Sequence, residues 1–182
     1  ITQDDVQAVY WFRKVAEQGD SIAQLQLGGM YYTGKGVTKD YSQAIDWYRK
    51  AEEQQGLPEA QTMIALMYSE GHGVIQDYAQ SINWYRKAAK QGDFIALNNL
   101  GVMYQYGKGV SKNLVLAHML YNLAAVNGDE DYINNRNTLS RQLSSAQLSE
   151  AQALAAKWKV GTPIPTSTKT FQTKSGKLNY KV

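Results

Sequence analysis

Apolar positions along this chain fall at helical spacing, and the spacing recurs. Ala23, Leu27, Met30 and Tyr31 form one i, i+4, i+7, i+8 stripe. The same stripe returns as Ala60, Ile64, Met67 and Tyr68, then as Ala96, Leu100, Met103 and Tyr104. A second type of stripe alternates with it: Ala44, Trp47, Tyr48, Ala51, then Ser81, Trp84, Tyr85, Ala88, then Ala117, Leu120, Tyr121, Ala124. Glycine pairs separate the two types at Gly34/Gly36, Gly71/Gly73 and Gly107/Gly109. Trp11 to Trp47 is 36 residues and Trp47 to Trp84 is 37, the extra residue lying near Gln54/Gln55. A period of this length marks a row of helix pairs, none of which can bury its apolar face alone.

The polar positions mark where each helix stops and starts. Gly34, Gly71 and Gly107 are predicted to close the first helices as left-handed caps, a conformation glycine adopts without strain. Asp40 with Gln43 and Asp77 with Gln80 read as capping boxes, and Asn113 takes the same cap role in the third unit. Gly19, Gly56, Gly92 and Gly128 end the second helices. Gly28, Ala65 and Gly101 sit inside first helices, where glycine costs ~1 kcal/mol against alanine. Their recurrence predicts that a neighbouring helix approaches closely there.

The segment Trp47-Tyr48-Arg49-Lys50-Ala51 returns as Trp84-Tyr85-Arg86-Lys87-Ala88, with Trp11-Phe12-Arg13-Lys14-Val15 as a near copy. With the glycine pairs, these residues resemble the Sel-1-like repeat family, a branch of the tetratricopeptide-repeat superfamily. Its units share A-x-x-W-Y-R-K-A-A-x-x-G followed by A-x-x-x-L-G-x-M-Y-x-x-G-x-G-V-x-x-D-Y. The resemblance covers about residues 5–128. It implies an all-α, right-handed α-solenoid, an α/α superhelix of helix-turn-helix repeats. The expected organisation is a partial repeat at 1–19 and full repeats at 20–56, 57–92 and 93–128. Capping helices follow at 129–160, and a basic C-terminal tail at 161–182. Within the capping region, Asp129–Gln142 reads as a degenerate fourth first-helix and Leu148–Trp158 as a closing helix. The chain opens on Ile1 with a second-type helix that lacks its first helix. Preceding sequence or another chain is therefore expected to cover Trp11, Phe12 and Val15 from behind while they pack forward.

Charge changes the picture only at the tail. The chain carries a formal net charge of +3. Lys169, Lys174, Lys177 and Lys181 lie beyond Gly161 without an acid, so the repeats themselves are close to neutral. A nucleic-acid partner would call for a basic face on the folded body, and none is expected. No apolar run reaches the ~18 residues of a membrane span, so no membrane insertion is expected. There is no cysteine, hence no disulfide framework and no thiolate metal site. The tail, with Pro163, Pro165 and the alternating Thr170-Phe171-Gln172-Thr173, reads as a disordered terminus. Its alternative is a segment packed on the fold.

Candidate chemistry is sparse. Gly34-Lys35-Gly36-Val37 and Gly107-Lys108-Gly109-Val110 lack the strand, the glycine spacing and the Ser or Thr of a phosphate loop. His72 in a loop and His118 on a helix stand apart, without an acid/His constellation at metal spacing. Neither a catalytic residue nor a cofactor or metal is expected. The rows Arg13/Lys14, Arg49/Lys50 and Arg86/Lys87 read as a solvated face with local ion pairs. Asp129-Glu130-Asp131 suits the start of a helix through its macrodipole.

The resemblance implies a function for the first helices, which in the tetratricopeptide class line a concave ligand face. By position that face comprises Leu25, Gly29, Tyr32 and Thr33, then Thr62, Leu66, Ser69 and Glu70, then Asn98, Val102, Gln105 and Tyr106. Ile22, Glu59 and Ile95 flank these residues, and Asn134 extends them. Tyr32 and Tyr106 are the expected aromatic anchors, and Asn98 and Gln105 the expected donors and acceptors for a peptide backbone. The implied function is a non-catalytic scaffold or adaptor holding a protein or peptide. The alternative is an exported cell-wall-associated or β-lactam-binding or -hydrolysing protein, as among cysteine-rich relatives. Self-association through the Trp11/Phe12 end is a third reading. Bacterial relatives are often exported, and the same compartment is expected here.

Overall fold

The computed structural model describes residues 2–167. Among these the elements are nine α-helices and one 3-10 turn, with no strand. Two compact units divide the chain, residues 1–88 and 89–182.

The first unit holds α1 (Gln3–Ala16), α2 (Ser21–Thr33), α3 (Tyr41–Gln55), α4 (Pro58–Glu70) and most of α5 (Tyr78–Lys90). Here α2 packs on α1 and α3, and α3 on α4. The predicted stripes are its core: Leu27, Ala44, Ala51, Ala60, Ile64 and Met67 are fully buried. The second unit holds α6 (Phe94–Tyr106), α7 (Leu114–Ala124), a 3-10 turn (Ala125–Asn127), α8 (Glu130–Ser140) and α9 (Ser145–Lys157). Apolar but for His118 and Asn122, α7 is the centre of this unit and touches α6, α8 and α9. Leu116, Met119 and Leu120 on α7 have no exposed surface.

The helix ends follow the punctuation. Gly34, Gly71 and Gly107 close their helices at φ of 78°, 72° and 71°, the left-handed region. Asp40 accepts the Gln43 amide at 3.0 Å, and Asn113 that of Leu116 at 3.0 Å. The reciprocal capping box, with both halves made, is at Ser144 and Gln147 instead. Gly28 and Gly101 hold close approaches within their own repeats. A Cβ at either position would stand 2.7 Å from the ring of Tyr48 or Tyr121.

Two expectations are corrected, and a third is met. The basic rows are not simply solvated. Arg13 Nη2 donates to the Tyr31 hydroxyl, and Arg49 Nη2 to that of Tyr68 at 3.1 Å, each reaching the helix of the next repeat. Lys50 Nζ lies 3.9 Å from the Trp47 ring centroid and Lys87 Nζ 4.0 Å from that of Trp84, within cation–π range. In the repeated Trp-Tyr-Arg-Lys run, therefore, Tyr fills the core, Arg links repeats and Lys covers Trp. Trp11, Phe12 and Val15 face the next helix, lining one pocket with Ile22 and Ala23 of α2, and their outer side is open: Trp11 is 61% exposed where Trp47 is 6% exposed. The second correction is that the chain after α9 packs on its unit as far as it is described. The Gly161 amide donates to the Lys90 carbonyl at 2.7 Å, Val160 stands over Gly92, and Ile164 is 5% exposed. The tail lysines and the Thr170–Thr173 stretch lie outside the described residues.

Candidate ligand-docking face

In the first unit the polar edge of α2 meets the end of α4 and the glycine loop after it. Tyr32 Oη donates to Glu70 Oε2 at 3.2 Å, and His72 Nδ1 lies 2.9 Å from the same oxygen. A carboxylate only accepts, so Nδ1 carries the proton in this arrangement. Tyr32 Oη is also 3.4 Å from His72 Nδ1. The His72 ring stacks flat on Tyr41, with centroids 4.2 Å apart and planes at 3°. Lys39 Nζ sits 4.7 Å from the Tyr41 centroid. Burial, and then the negative charge of Glu70, push the Tyr32 phenol up to about 12. Two successive repeats are thereby joined at their exposed edge by one shared carboxylate.

The other expected residues of this unit are placed as follows. Leu25 is half-buried against the core, and Leu66 is half-buried. Gly29 stands above Tyr48, whose hydroxyl would lie 3.8 Å from a Cβ there. Thr33 is exposed but turns its hydroxyl back to the Gly29 carbonyl at 2.8 Å. Ser69 does the same to Leu66 at 2.8 Å. Glu70 and Ile22 are exposed. Thr62 differs from the expectation: it is 3% exposed and turned inward, because the first turns of α4 bury Ala60, Gln61 and Thr62 in succession.

In the second unit Tyr106 projects, 65% exposed, while Val102 is half-buried. The two amides expected to meet a ligand already use their oxygens. Asn98 Oδ1 accepts from Asn135 Nδ2 at 2.9 Å, and Gln105 Oε1 accepts from the Tyr121 hydroxyl at 2.6 Å. Among the described residues their N–H2 groups have no acceptor. Asn135, not Asn134, meets Asn98, a register of α8 that its polar sequence leaves open.

Sequence reasoning missed Tyr41 and His72 as partners of Tyr32. The one available signal was histidine in a glycine loop that elsewhere carries Lys35 and Lys108. His118 is buried, and its Nε2 lies 2.7 Å from Ser140 Oγ, whose own proton goes to the Arg136 carbonyl at 2.8 Å. Nε2 is therefore the protonated nitrogen, and Nδ1 is buried with no hydrogen-bond partner among the described residues. Burial, with Arg136 adding to it, holds the imidazole below its ordinary pKa. Among the described residues no group of three or more His, Cys, Asp or Glu converges as a metal site would require.

The Sel1 repeat family model matches residues 1–20, 21–55, 58–93 and 95–129, most of the chain. The chain is a member of the Sel1 repeat family. A protective antigen of uropathogenic Escherichia coli with an SLR fold superposes on the whole chain with a TM-score of 0.78 and 32% identity. A Sel1 repeat protein from Oxalobacter formigenes covers 86% of the chain, with a TM-score of 0.71 and 34% identity. Among curated proteins, the secretory immunoglobulin A-binding protein EsiB of E. coli is 49% identical over 39 residues. The chain spans 37% of the antigen, 66% of the Oxalobacter protein and 8% of EsiB. Sel1 repeat proteins of the SLR fold are generally non-catalytic scaffolds for protein interaction, and the helix pairs described above are built on that plan.

Proposed function

We propose that this Sel1 repeat chain is a non-catalytic interaction module that holds a segment of a protein partner on its first-type helices. The observation that carries the reading is the join of Tyr32 and Glu70. Neighbouring repeats present, at one exposed edge, an aromatic ring and a carboxylate held in place by His72 and Tyr41. Such a prearranged contact loses little side-chain freedom when a partner docks. In the second unit Tyr106 and the donor N–H2 groups of Asn98 and Gln105 supply a comparable surface.

The test is selection of peptides from a random display library against the whole chain, with secretory immunoglobulin A included as a defined protein probe. Bound sequences are then titrated against Tyr32→Ala/Glu70→Ala and Asn98→Ala/Tyr106→Ala variants. Loss of affinity in either variant, at unchanged thermal stability, supports the reading. Peptides that bind both variants as tightly as the parent chain would remove it.

A further inference from the structure

A second site adjoins the Tyr32 edge through Lys39, where the loop between α2 and α3 folds back over α1. A cavity of about 460 Å³ opens there between Arg13, Tyr31, Thr38, Lys39 and Gln43, with Val37 at its apolar side. The loop is anchored because the Asp40 amide donates to the Tyr31 carbonyl at 3.0 Å.

The hydrogen bonds around this cavity are unbalanced. Tyr31 is only 9% exposed, and its hydroxyl accepts from Arg13 Nη2. A hydroxyl that accepts still has its own proton to donate. Among the described residues that proton meets no acceptor, although the tyrosine is nine-tenths buried and lines the cavity. Arg13 keeps further N–H donors, and Thr38 and Gln43 add theirs. Asp40 also lines the cavity, but its Oδ1 is turned to the first turn of α3, where it accepts the Gln43 amide.

The next repeat shows what is missing. Arg49 likewise donates to Tyr68, but it also has Asp46 at 3.8 Å on its own helix. The matching position on α1 is Tyr10, so among the described residues no carboxylate comes within ion-pair distance of Arg13. We propose that this cavity binds a carboxylate from outside the chain, taken between the Arg13 guanidinium and the Tyr31 hydroxyl. Planar guanidinium and planar carboxylate match in geometry, and charge-assisted hydrogen bonds of this type are the strong ones. An acidic side chain and a chain terminus present the same group, so either source fits the chemistry.

The experiment is a titration of the isotope-labelled whole chain, followed by amide NMR. The probes are N-acetylaspartate N-methylamide, which has only a side-chain carboxylate, and N-acetylalanine, which has only a terminal one. N-acetylalanine amide is the uncharged control. Saturable shifts at Thr38 to Asp40 and at the Arg13 Nε–H are expected with one or both acids and not with the control. Arg13→Gln abolishes them. Tyr31→Phe keeps the ring in the core, removes only the hydroxyl, and weakens binding by about tenfold, the worth of one charge-assisted hydrogen bond. The matching loop around Gln76 stays unshifted and serves as an internal reference. Equal shifts at both loops, no saturable shift, or shifts that survive Arg13→Gln while Tyr31→Phe remains folded would each overturn the proposal.

Discussion

Gly28 and Tyr48 touch so closely that a single methyl group does not fit between them. A Cβ on Gly28 would stand 2.7 Å from two carbons of the Tyr48 ring, well inside van der Waals contact. The tyrosine cannot withdraw, since it is 1% exposed and packed on every side. The glycine therefore stays in the helix despite its poor propensity, because it lets α2 and α3 approach.

Gly28→Ala tests the balance. In an exposed helix the change stabilises by ~1 kcal/mol. Here overpacking costs about 1–3 kcal/mol and is expected to win. Urea unfolding should show a lower midpoint, partly restored in Gly28→Ala/Tyr48→Leu, where the ring is gone. An unchanged or higher midpoint for the single variant would mean that the helices separate at no cost.

The Arg–Tyr link is expected to matter more than the ion pair beside it. Tyr68→Phe removes only the bond from Arg49, leaving the Asp46 pair in place, and should cost about 1.5 kcal/mol, the lower end for a hydrogen bond with a charged donor. Asp46→Asn removes only an exposed pair and should fall within about 0.5 kcal/mol of the parent. Denaturant titrations of the two variants decide it. Equal losses would place the contribution in charge rather than in the link.

His118 predicts a loss of stability in acid. Its folded pKa is lowered from the ordinary 6.5, chiefly by burial. The folded state thus binds fewer protons than the unfolded one in this window. The stability it contributes is complete above 6.5 and falls as the pH drops through the lowered value. Melting temperatures measured between pH 7.5 and 4.5 should decline more steeply for the parent than for His118→Gln. Parallel curves would show that the imidazole charges without penalty.

Tyr32 makes the opposite prediction at high pH. Its phenol is raised from 10 to about 12, so its contribution is full below 10 and is lost as the pH rises toward 12. Spectrophotometric titration of the parent minus Tyr32→Phe should isolate one late-ionising phenol. Glu70→Gln should move that phenol back toward 10, since it removes the second cause of the shift. A difference curve centred near 10 in the parent would contradict the shared carboxylate.

Much of the fold was legible because it repeats. Ala23, Leu27 and Met30 recur with their counterparts at constant spacing, so each copy confirms the period of the others. Gly34, Gly71 and Gly107 needed only local geometry to be read as caps. The contacts between side chains were harder to read. Arg13 and Arg49 look solvated in sequence, since nothing local shows a tyrosine of the next repeat within reach. Thr62 looks exposed by analogy with its neighbours, yet consecutive burial at the start of α4 takes it inside. Asn134 and Asn135 are indistinguishable until the register of α8 is known.

The sequence by itself determined the helix pairs, their caps and the family. Those depend on periodicity and on backbone preferences of residues close together in the chain. The tertiary structure decided which polar groups find partners: Tyr32 with Glu70 and His72, Tyr31 with Arg13, Asn98 with Asn135. Each pair lies 18 to 40 positions apart. Only packing of whole helices brings such residues within hydrogen-bonding distance.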